Sequence, residues 1–350
     1  MKDILTPRER FGLLVIDEEQ DRVPVFPLVT GHAARAAGAA LRDYYTDGRV
    51  MARSQLAAQE RYGTDFISLF SEVGLVAEAL GSRYSYPEDD LPILEQPRWS
   101  SLSEVPAESA LFDSAGRLNV YLDAASYAYE ARGDTVPILA YVPAPFTTAQ
   151  QLVDPEAFLL GLVEDAAGVW RVLELSTRAV VGFCRQLIRA GALPILVDPL
   201  ASGSVISVEH YREFALPAEA EVIRYLHRYD LDVVLHICGD TTGLVGAMAE
   251  SGADLLSIDR IGLDAAIAQV GDRLRIIGNM DTTALWLSTP VEIAAETARM
   301  VETGRRNPKG YVAATGCEVP LATPEENIRA FVKAAKEAGR NDNFAAGRKR

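Results

Sequence analysis

Residues 232–237 read DVVLHI, and this short run of β-branched and aliphatic side chains predicts a buried strand. Seven similar runs lie along the chain, at 23–29 (VPVFPLV), 65–70 (DFISLF), 136–142 (VPILAYV), 193–198 (LPILVD), 254–259 (DLLSID), 273–279 (RLRIIGN) and 310–315 (GYVAAT). Most of the eight are continuously apolar rather than alternating. That pattern is typical of strands buried on both faces of a parallel sheet.

Helix signals separate these runs. The segments 289–292 (TPVE) and 323–326 (TPEE) each predict a threonine N-cap, a proline at the first helical position and a glutamate that completes a capping box. Strands that alternate with helices indicate a parallel sheet, and eight repeats favour closure into a single (β/α)8 TIM barrel. A doubly wound open sheet is the alternative.

The predicted barrel occupies residues 23–340 and forms the catalytic domain. Residues 1–22 predict a helical N-terminal extension. Residues 80–135 contain several prolines and the charged stretch PEDDLP, and they predict an insertion between the second and third strands. Residues 341–350 are polar, end in GRKR and predict a flexible tail.

The composition narrows the possible partners and the compartment. The formal net charge of −15 argues against nucleic acid or an anionic membrane, because either would need a basic surface. The sequence has no apolar run long enough to span a bilayer, and its N-terminus lacks the hydrophobic stretch of a signal peptide. Three cysteines are an odd number for a disulfide framework, so we expect a cytoplasmic, reducing environment.

A possible metal site lies at the end of the fifth predicted strand. His236 and Cys238 are two residues apart, so in a strand they point to the same side. Cys317 comes just past the eighth strand, and the strand ends of a barrel meet around one mouth. Two thiolates and an imidazole suit Zn²⁺ and leave a position open for substrate. The alternative is that these cysteines are small core residues, as we predict for Cys184 on its apolar helical face.

Other polar residues follow the predicted strands. Asp198 and Asp259 end the fourth and sixth strands and are candidate catalytic residues, because polar side chains at these ends often act on substrate. Asn279 and Asp281 follow the seventh strand and His32 follows the first. We expect these three to contact substrate or a corrinoid. Asp198 and Asp281 have a structural alternative, which is to cap the turn or helix that follows.

The chain resembles the zinc-dependent corrinoid methyltransferases of the uroporphyrinogen decarboxylase superfamily. The resemblance rests on HICG at 236–239, on GCEVPLATPEENI at 316–328 and on the strand series, and it extends from residue 22 to residue 338. It implies that zinc lies on the His-x-Cys pair and the distant cysteine. It also implies methyl transfer between a corrinoid and a small thiol, or from a small methyl donor such as a methyl ether to cob(I)alamin. The sequence has no D-x-H-x-x-G cobalt-ligand motif, so a separate corrinoid-binding protein would carry the cobalamin.

Two related families differ from this sequence in informative ways. Uroporphyrinogen decarboxylases carry a basic N-terminal motif, whereas residues 28–38 (LVTGHAARAAG) offer only Arg35 here, and those enzymes have a histidine where this chain has Cys317. The C-terminal half also resembles cobalamin-independent methionine synthase, in which a carboxylate after the next strand joins the zinc ligands. Asp259 stands near that position, with a side chain one carbon shorter.

Several alternatives remain at the level of sequence. The barrel could be a decarboxylase of the same superfamily, a thiol- or corrinoid-binding protein without turnover, or a zinc hydrolase. Zinc hydrolases normally use histidine and carboxylate ligands, so two cysteines make that alternative weaker. Glu72 or Glu78, after the second strand, could complete the zinc coordination. His210 and His227 lie on a predicted helix at 208–228 and are expected at the surface or in packing contacts.

Overall fold

The fold is that of a computed structural model, which describes residues 3–70, 72–106 and 116–347. The strands are β1 (Val25–Leu28), β2 (Ile67–Leu69), β3 (Arg83–Ser85), β4 (Ile93–Gln96), β5 (Ile138–Pro143), β6 (Leu193–Val197), β7 (Val234–His236), β8 (Leu255–Ser257), β9 (Arg275–Met280) and β10 (Tyr311–Glu318). Eight of them pair in parallel in the order β1-β10-β9-β8-β7-β6-β5-β2.

The two ends of this sheet meet. The backbone N–H of Asp65, just before β2, donates to the carbonyl of Val25 in β1 at 3.0 Å. The sheet therefore curls into a nearly closed barrel, and the prediction of a (β/α)8 barrel is confirmed. The doubly wound alternative is wrong, because an open sheet would leave its first and last strands apart.

Helices surround the barrel. They are α1 (Pro7–Val15), α2 (His32–Ala37), α3 (Leu41–Thr46), α4 (Gly48–Tyr62), α5 (Leu75–Ala79), α6 (Leu118–Arg132), α7 (Pro145–Leu152), α8 (Pro155–Glu164), α9 (Ala166–Arg189), α10 (Val208–His210), α11 (Leu216–Leu226), α12 (Val245–Met248), α13 (Leu263–Val270), α14 (Thr282–Leu287), α15 (Pro290–Gly304), α16 (Glu325–Ala338) and α17 (Asp342–Gly347). A π-helical segment, Tyr211–Ala215, joins α10 to α11. Within the described ranges, no helix combines the length and apolar character that crossing a membrane requires.

Helix α15 begins as the sequence predicts and α16 does not. Thr289 forms a capping box with Glu292, with a proline at the first helical position. By contrast, α16 begins at Glu325, so the residue at its N-cap is Pro324, and the buried hydroxyl of Thr323 has no hydrogen-bond partner among the described residues. The prediction was one residue early there, because Thr323 belongs to the turn that precedes the helix.

The segments outside the regular repeat have structure of their own. Between β2 and β5 the chain forms α5, the antiparallel hairpin β3–β4 and α6, which packs against β2 and β5. This is where the sequence predicts an insertion at 80–135, and residues 107–115 of it lie outside the described residues. The predicted flexible tail contains the short helix α17, and its last three residues, 348–350, are also outside the description.

Helix α1 closes the lower end of the barrel, opposite the carboxyl ends of the strands. Leu14 belongs to the apolar cluster that fills the barrel interior, and Phe11 packs against it. Phe11 meets Phe66 edge to face, with ring centroids 5.1 Å apart. The guanidinium of Arg275 donates to the carbonyl of Leu14 at 2.9 Å. The N-terminal helix is therefore part of the core.

Buried ion pairs fix this closure. Arg10 is fully buried and contacts Asp21 and Asp65, each at 2.7 Å. Arg22 contacts the same Asp65 at 2.6 Å. One buried carboxylate thus serves two buried guanidinium groups, and removal of any partner would leave an uncompensated charge in the interior.

Candidate metal centre

Three soft donors meet at the mouth of the barrel. His236 ends β7 and Cys238 follows two residues later, while Cys317 lies near the end of β10. The candidate ligand atoms of the three side chains all lie within 4.8 Å of one another. Parallel strands bring their carboxyl ends to one side, so residues about eighty positions apart converge there.

A neighbouring strand orients the histidine. His236 and Ser257 are register partners in β7 and β8, and Ser257 Oγ lies 3.0 Å from Nδ1 of the ring. With Nδ1–H donating to that hydroxyl, Nε2 is the nitrogen with a free lone pair. A metal-bound histidine usually donates its other ring N–H in this manner, which fixes both the tautomer and the ring orientation.

The donor set fits a zinc ion. A hydrogen bond between the two thiols lowers the pKa of Cys238 and raises that of Cys317, whose pKa burial raises further. Zinc–sulfur bonds of about 2.3 Å and zinc–nitrogen bonds of about 2.0 Å place the tetrahedral ligand atoms of such a set roughly 3.5–3.8 Å apart. The observed separation of up to 4.8 Å therefore needs only a small inward movement of the side chains. Three protein ligands would leave one position open.

Asp259 supports the loop that carries Cys238. The backbone of Gly239 has φ +80°, which favours glycine, and its N–H donates to Asp259 Oδ2 at 2.7 Å. The other carboxylate oxygen lies 2.6 Å from the position that a Cβ on Gly316 would occupy, so the glycine beside Cys317 leaves room for this carboxylate. Asp259 is outside the three-ligand group of the described residues, although it touches the backbone beside two of its members.

An irregular pairing brings two successive residues of β10 to the mouth. Phe26 of β1 pairs with Ala314, but Leu28 pairs with Glu318, so β10 has two more residues than β1 over this stretch. Adjacent residues of a regular strand face opposite sides. The two extra residues interrupt this alternation, so Cys317 and Glu318 both lie close enough to His236 to interact with it electrostatically.

Glu318 is a mouth residue that the sequence analysis did not select. Thr30 Oγ1 donates to Glu318 Oε2 at 2.9 Å. Burial raises the pKa of Glu318 to about 7, although the bond from Thr30 and the nearby His236 act in the opposite direction. The signal available in the sequence was its position beside a predicted ligand in the GCE run.

Tyr141 forms the floor beneath these residues. Its ring stacks on Phe26, with centroids 6.5 Å apart, and packs against Phe70 at 5.2 Å. The hydroxyl is buried and has no hydrogen-bond partner among the described residues. Burial, and then the nearby Glu318 and Cys317, raise the pKa of Tyr141 well above its ordinary value. In the sequence this tyrosine looks like one more apolar strand residue.

Asp198 lies behind β6 in a buried carboxyl pair. One of its oxygens accepts the N–H of Thr147 at 2.7 Å, while Tyr211 donates to Glu219 at 2.5 Å. Among the described residues, each carboxyl has one oxygen without a hydrogen-bond donor, and the two buried carboxyls interact with each other electrostatically. Burial raises the pKa of Asp198 to about 6 and that of Glu219 well above its usual range.

The two residues predicted after the seventh strand lie beside a different cavity. The Asn279 amide donates to the carbonyls of Asp259 and Ile261, at 2.9 and 2.7 Å. Asp281 is the N-cap of α14 and accepts the N–H of Ala284 at 2.7 Å. Both line a cleft of about 630 Å³ between α13 and α15. The structure therefore gives both residues structural contacts, and the capping alternative for Asp281 is the one observed.

His32 faces away from the three donors. Its ring nitrogens contact Tyr62 Oη at 3.0 Å and the carbonyl of Leu321 at 3.3 Å, which links α4 to the loop after β10. Burial lowers the pKa of His32. Of the other histidines, His227 is exposed and pairs with Asp254 at 2.9 Å, as expected for a residue on that outer helix.

The two glutamates after the second strand are held by one arginine. Arg117 contacts Glu72 at 2.5 Å and Glu78 at 2.8 Å, and its guanidinium lies over the ring of Tyr86. Burial lowers the pKa of Arg117, but these carboxylates raise it by more, so the pKa lies above its usual value. Neither glutamate belongs to the three-ligand group found among the described residues.

Comparisons with known proteins agree with this geometry. The family model for uroporphyrinogen decarboxylase (URO-D) matches residues 6–338. A methylated-thiol–coenzyme M methyltransferase from Methanosarcina mazei is 28% identical over 338 residues, which cover 95% of this chain and 90% of the relative. The methylcobamide:CoM methyltransferase MtbA from the same organism is 25% identical, with 95% and 98% of the two chains covered.

A solved structure gives the same result. The chain superimposes on a methyltransferase from Methanosarcina mazei with a TM-score of 0.87 and 25% identity, covering 95% of this chain and 99% of the other. The match thus covers nearly the whole of both chains. The chain belongs to the uroporphyrinogen decarboxylase (URO-D) family.

Proposed function

We propose that the protein is a zinc-dependent methyltransferase that works with a corrinoid carried by a separate protein. It moves a methyl group between that corrinoid and a small thiol, or from a small methyl donor to cob(I)alamin. The observation that carries the proposal is the convergence of His236, Cys238 and Cys317 at the open end of the barrel. The relatives named as methylcobamide and methylated-thiol methyltransferases support the same reaction class.

Each residue around the centre has a distinct task in this proposal. Zinc held by the three donors would lower the pKa of a bound thiol, so that the nucleophilic thiolate predominates at neutral pH. Ser257 keeps His236 in the tautomer that presents Nε2. Asp259 keeps Gly239, and with it Cys238, in place. Asp259 is therefore proposed as a positioning residue.

The buried pair of Asp198 and Glu219 is proposed to act through the backbone. The N–H of Asp198 donates to the carbonyl of His236 at 2.9 Å, and its side chain is turned away toward Thr147. A change in this pair would therefore reach the site through the end of β6. Chemistry at the mouth depends on the groups that line it, and Asp198 stabilises the strand beside them.

The test is a methyl-transfer assay with free methylcobalamin. The zinc-loaded protein is mixed anaerobically with methylcobalamin and a panel of small thiols, and loss of the methylcobalamin absorbance is followed. Cys317→Ser should remove both zinc and turnover, whereas Cys184→Ser, in the apolar core, should keep the zinc content. If no thiol reacts, the reverse direction is tested with cob(I)alamin and methyl ethers. A protein that binds no zinc and transfers no methyl group in either direction would exclude the proposal.

The partner and the compartment follow from the same reasoning. A corrinoid protein would dock over the mouth, because the methyl group must come within bonding distance of the open position. With a chain charge of −15, the docking face of that partner must tolerate acidic side chains. We propose a cytoplasmic location, in which both thiols of the centre stay reduced.

A further inference from the structure

Two polar groups on the floor of the mouth point to the chemistry of the small substrate. Among the described residues, Thr30 is the one hydrogen-bond donor to Glu318, and it contacts Oε2, so Oε1 remains available. The hydroxyl of Tyr141 is buried without a partner among the described residues, and the register from β5 through β6 to β7 places Tyr141 two residues below the level of His236. A buried hydroxyl without a partner is costly, and a bound ligand would remove that cost.

The two arginines nearest to this floor are already paired or lie at the exposed rim. Glu318 adjoins the donor Cys317 at the end of β10, where Thr30 holds one of its oxygens. Arg117, the cation behind Glu72, already contacts both Glu72 and Glu78 at hydrogen-bond distance. Arg260 is exposed and follows Asp259 at the rim, so it is the cation that a test must control for.

We propose that the small substrate carries a hydrogen-bond-donating head group, a hydroxyl or an ammonium, which Glu318 accepts while Tyr141 binds beside it. This inference rests on the proposed function and identifies its substrate class. It separates the protein from the relatives named for coenzyme M, because the sulfonate of coenzyme M has no hydrogen to donate to the free oxygen of Glu318. A ligand that leaves a buried acceptor or donor of the site unpaired binds less tightly than one that pairs it.

Three thiols of equal length test the proposal. Cysteamine, 2-mercaptoethanol and coenzyme M share the HS–CH2–CH2 unit and end in an ammonium, a hydroxyl and a sulfonate. Their binding to the zinc-loaded protein is measured by calorimetry, which needs no methyl transfer. We expect cysteamine and 2-mercaptoethanol to bind about tenfold or more tightly than coenzyme M, the effect of one charge-assisted hydrogen bond.

Matched variants assign the effect to its residues. Glu318→Gln keeps the shape but replaces one acceptor oxygen with a donating amide group, so cysteamine should lose about tenfold in affinity. Tyr141→Phe removes only the hydroxyl and should weaken 2-mercaptoethanol about threefold to tenfold. Arg260→Gln should leave the order of the three thiols unchanged. Zinc content and thermal unfolding are measured for each variant, so that damage to the metal site is recognised separately.

The outcomes distinguish a failure of this inference from a failure of the proposed function. Tightest binding of coenzyme M, dependent on Arg260, overturns the inference while thiol methylation still supports the function. Selective binding of cysteamine or 2-mercaptoethanol without any methyl transfer supports the inference and contradicts the function. Equal binding of all three thiols, unchanged in Glu318→Gln, also overturns the inference, because the floor would then not contact the head group.

Discussion

Ser257 Oγ lies 3.0 Å from His236 Nδ1, and this contact across two paired strands leaves Nε2 of the ring as the nitrogen available to a metal. The serine contributes no ligand, yet without it the imidazole could rotate or change tautomer. The metal centre therefore depends on three strands beyond those that supply its ligands, since β8 holds the ring while β9 and β1 fix β10 on either side.

Removal of this hydroxyl should weaken metal binding. We expect Ser257→Ala to lower zinc affinity about tenfold, at the lower end of the range for such supporting partners. A competition titration against a chromophoric chelator measures this directly. Ser257→Thr retains a hydroxyl and should keep most of the affinity. An unchanged affinity in the alanine variant would mean that the two cysteines and the barrel wall orient His236 on their own.

The contact between Asp259 and Gly239 leads to a second prediction. Asp259→Ala leaves the N–H of Gly239 without its acceptor, so the loop after Cys238 should loosen and the free energy of unfolding should fall by about 1–3 kcal/mol. Zinc affinity should fall with it, since one ligand sits on that loop. Denaturant titration with and without zinc measures both effects. Asp240→Ala, an exposed neighbour, serves as the control, and equal effects in both variants would contradict the prediction.

The base of the barrel gives the largest predicted loss of stability. Asp65→Ala removes the shared partner of Arg10 and Arg22, and the free energy of unfolding should fall by about 3–5 kcal/mol. The matched control is Glu325→Gln, which weakens partly exposed pairs with Arg61 and Arg329 and should cost less than about 1 kcal/mol. Chemical denaturation checks both variants. A similar small loss in each would show that the buried charges are compensated in another way.

The carboxyl pair of Asp198 and Glu219 predicts a pH effect with a definite sign. Both pKa values are raised in the folded state, for Asp198 from 3.8 to about 6, chiefly by burial. Folding therefore favours the protonated forms, and the contribution to stability is fully present below about pH 4 and is lost as the pH rises through 6. Glu219→Gln removes one of the two acids from this titration.

This effect is measured as the difference in Tm between a variant and the unmodified protein. We expect the Tm of Glu219→Gln, minus the Tm of the unmodified protein, to increase between pH 5 and pH 8. The unmodified protein loses stability as the pH rises because its buried acid is harder to ionise than in the unfolded chain, whereas the glutamine does not ionise. Glu221→Gln, on the exposed side of the same helix, should give a constant difference across that range. A constant difference in both variants would contradict the prediction, because the pair would then not titrate in this pH range.

Much of the fold could be predicted from the sequence for a clear physical reason. Strands buried on both faces must be apolar throughout, so DVVLHI and its seven counterparts are recognisable without an alignment. The metal ligands were predictable for a related reason, because His236 and Cys238 are spaced for one side of a strand. Cys317 could then be assigned once the strands were expected to close.

The remaining residues depend on features that a sequence does not display. Glu318 reaches the mouth because β10 gains two residues against β1, and nothing in the local pattern marks that change of register. Tyr141 looks like core because its ring is core, and only its hydroxyl belongs to the site. His32 follows the first strand as a mouth residue should, but it begins α2 and its ring turns outward.

Helix α1 packs into the lower end of the barrel, so within the described part of the chain the metal centre opens toward the mouth. In the proposed function, a corrinoid protein docked over the mouth would also block the path by which the thiol enters. The small substrate would have to enter before the partner arrives, and the methylated product would have to wait for its departure. Turnover would then follow a compulsory order, and a large excess of the corrinoid partner would slow the reaction by trapping the product inside.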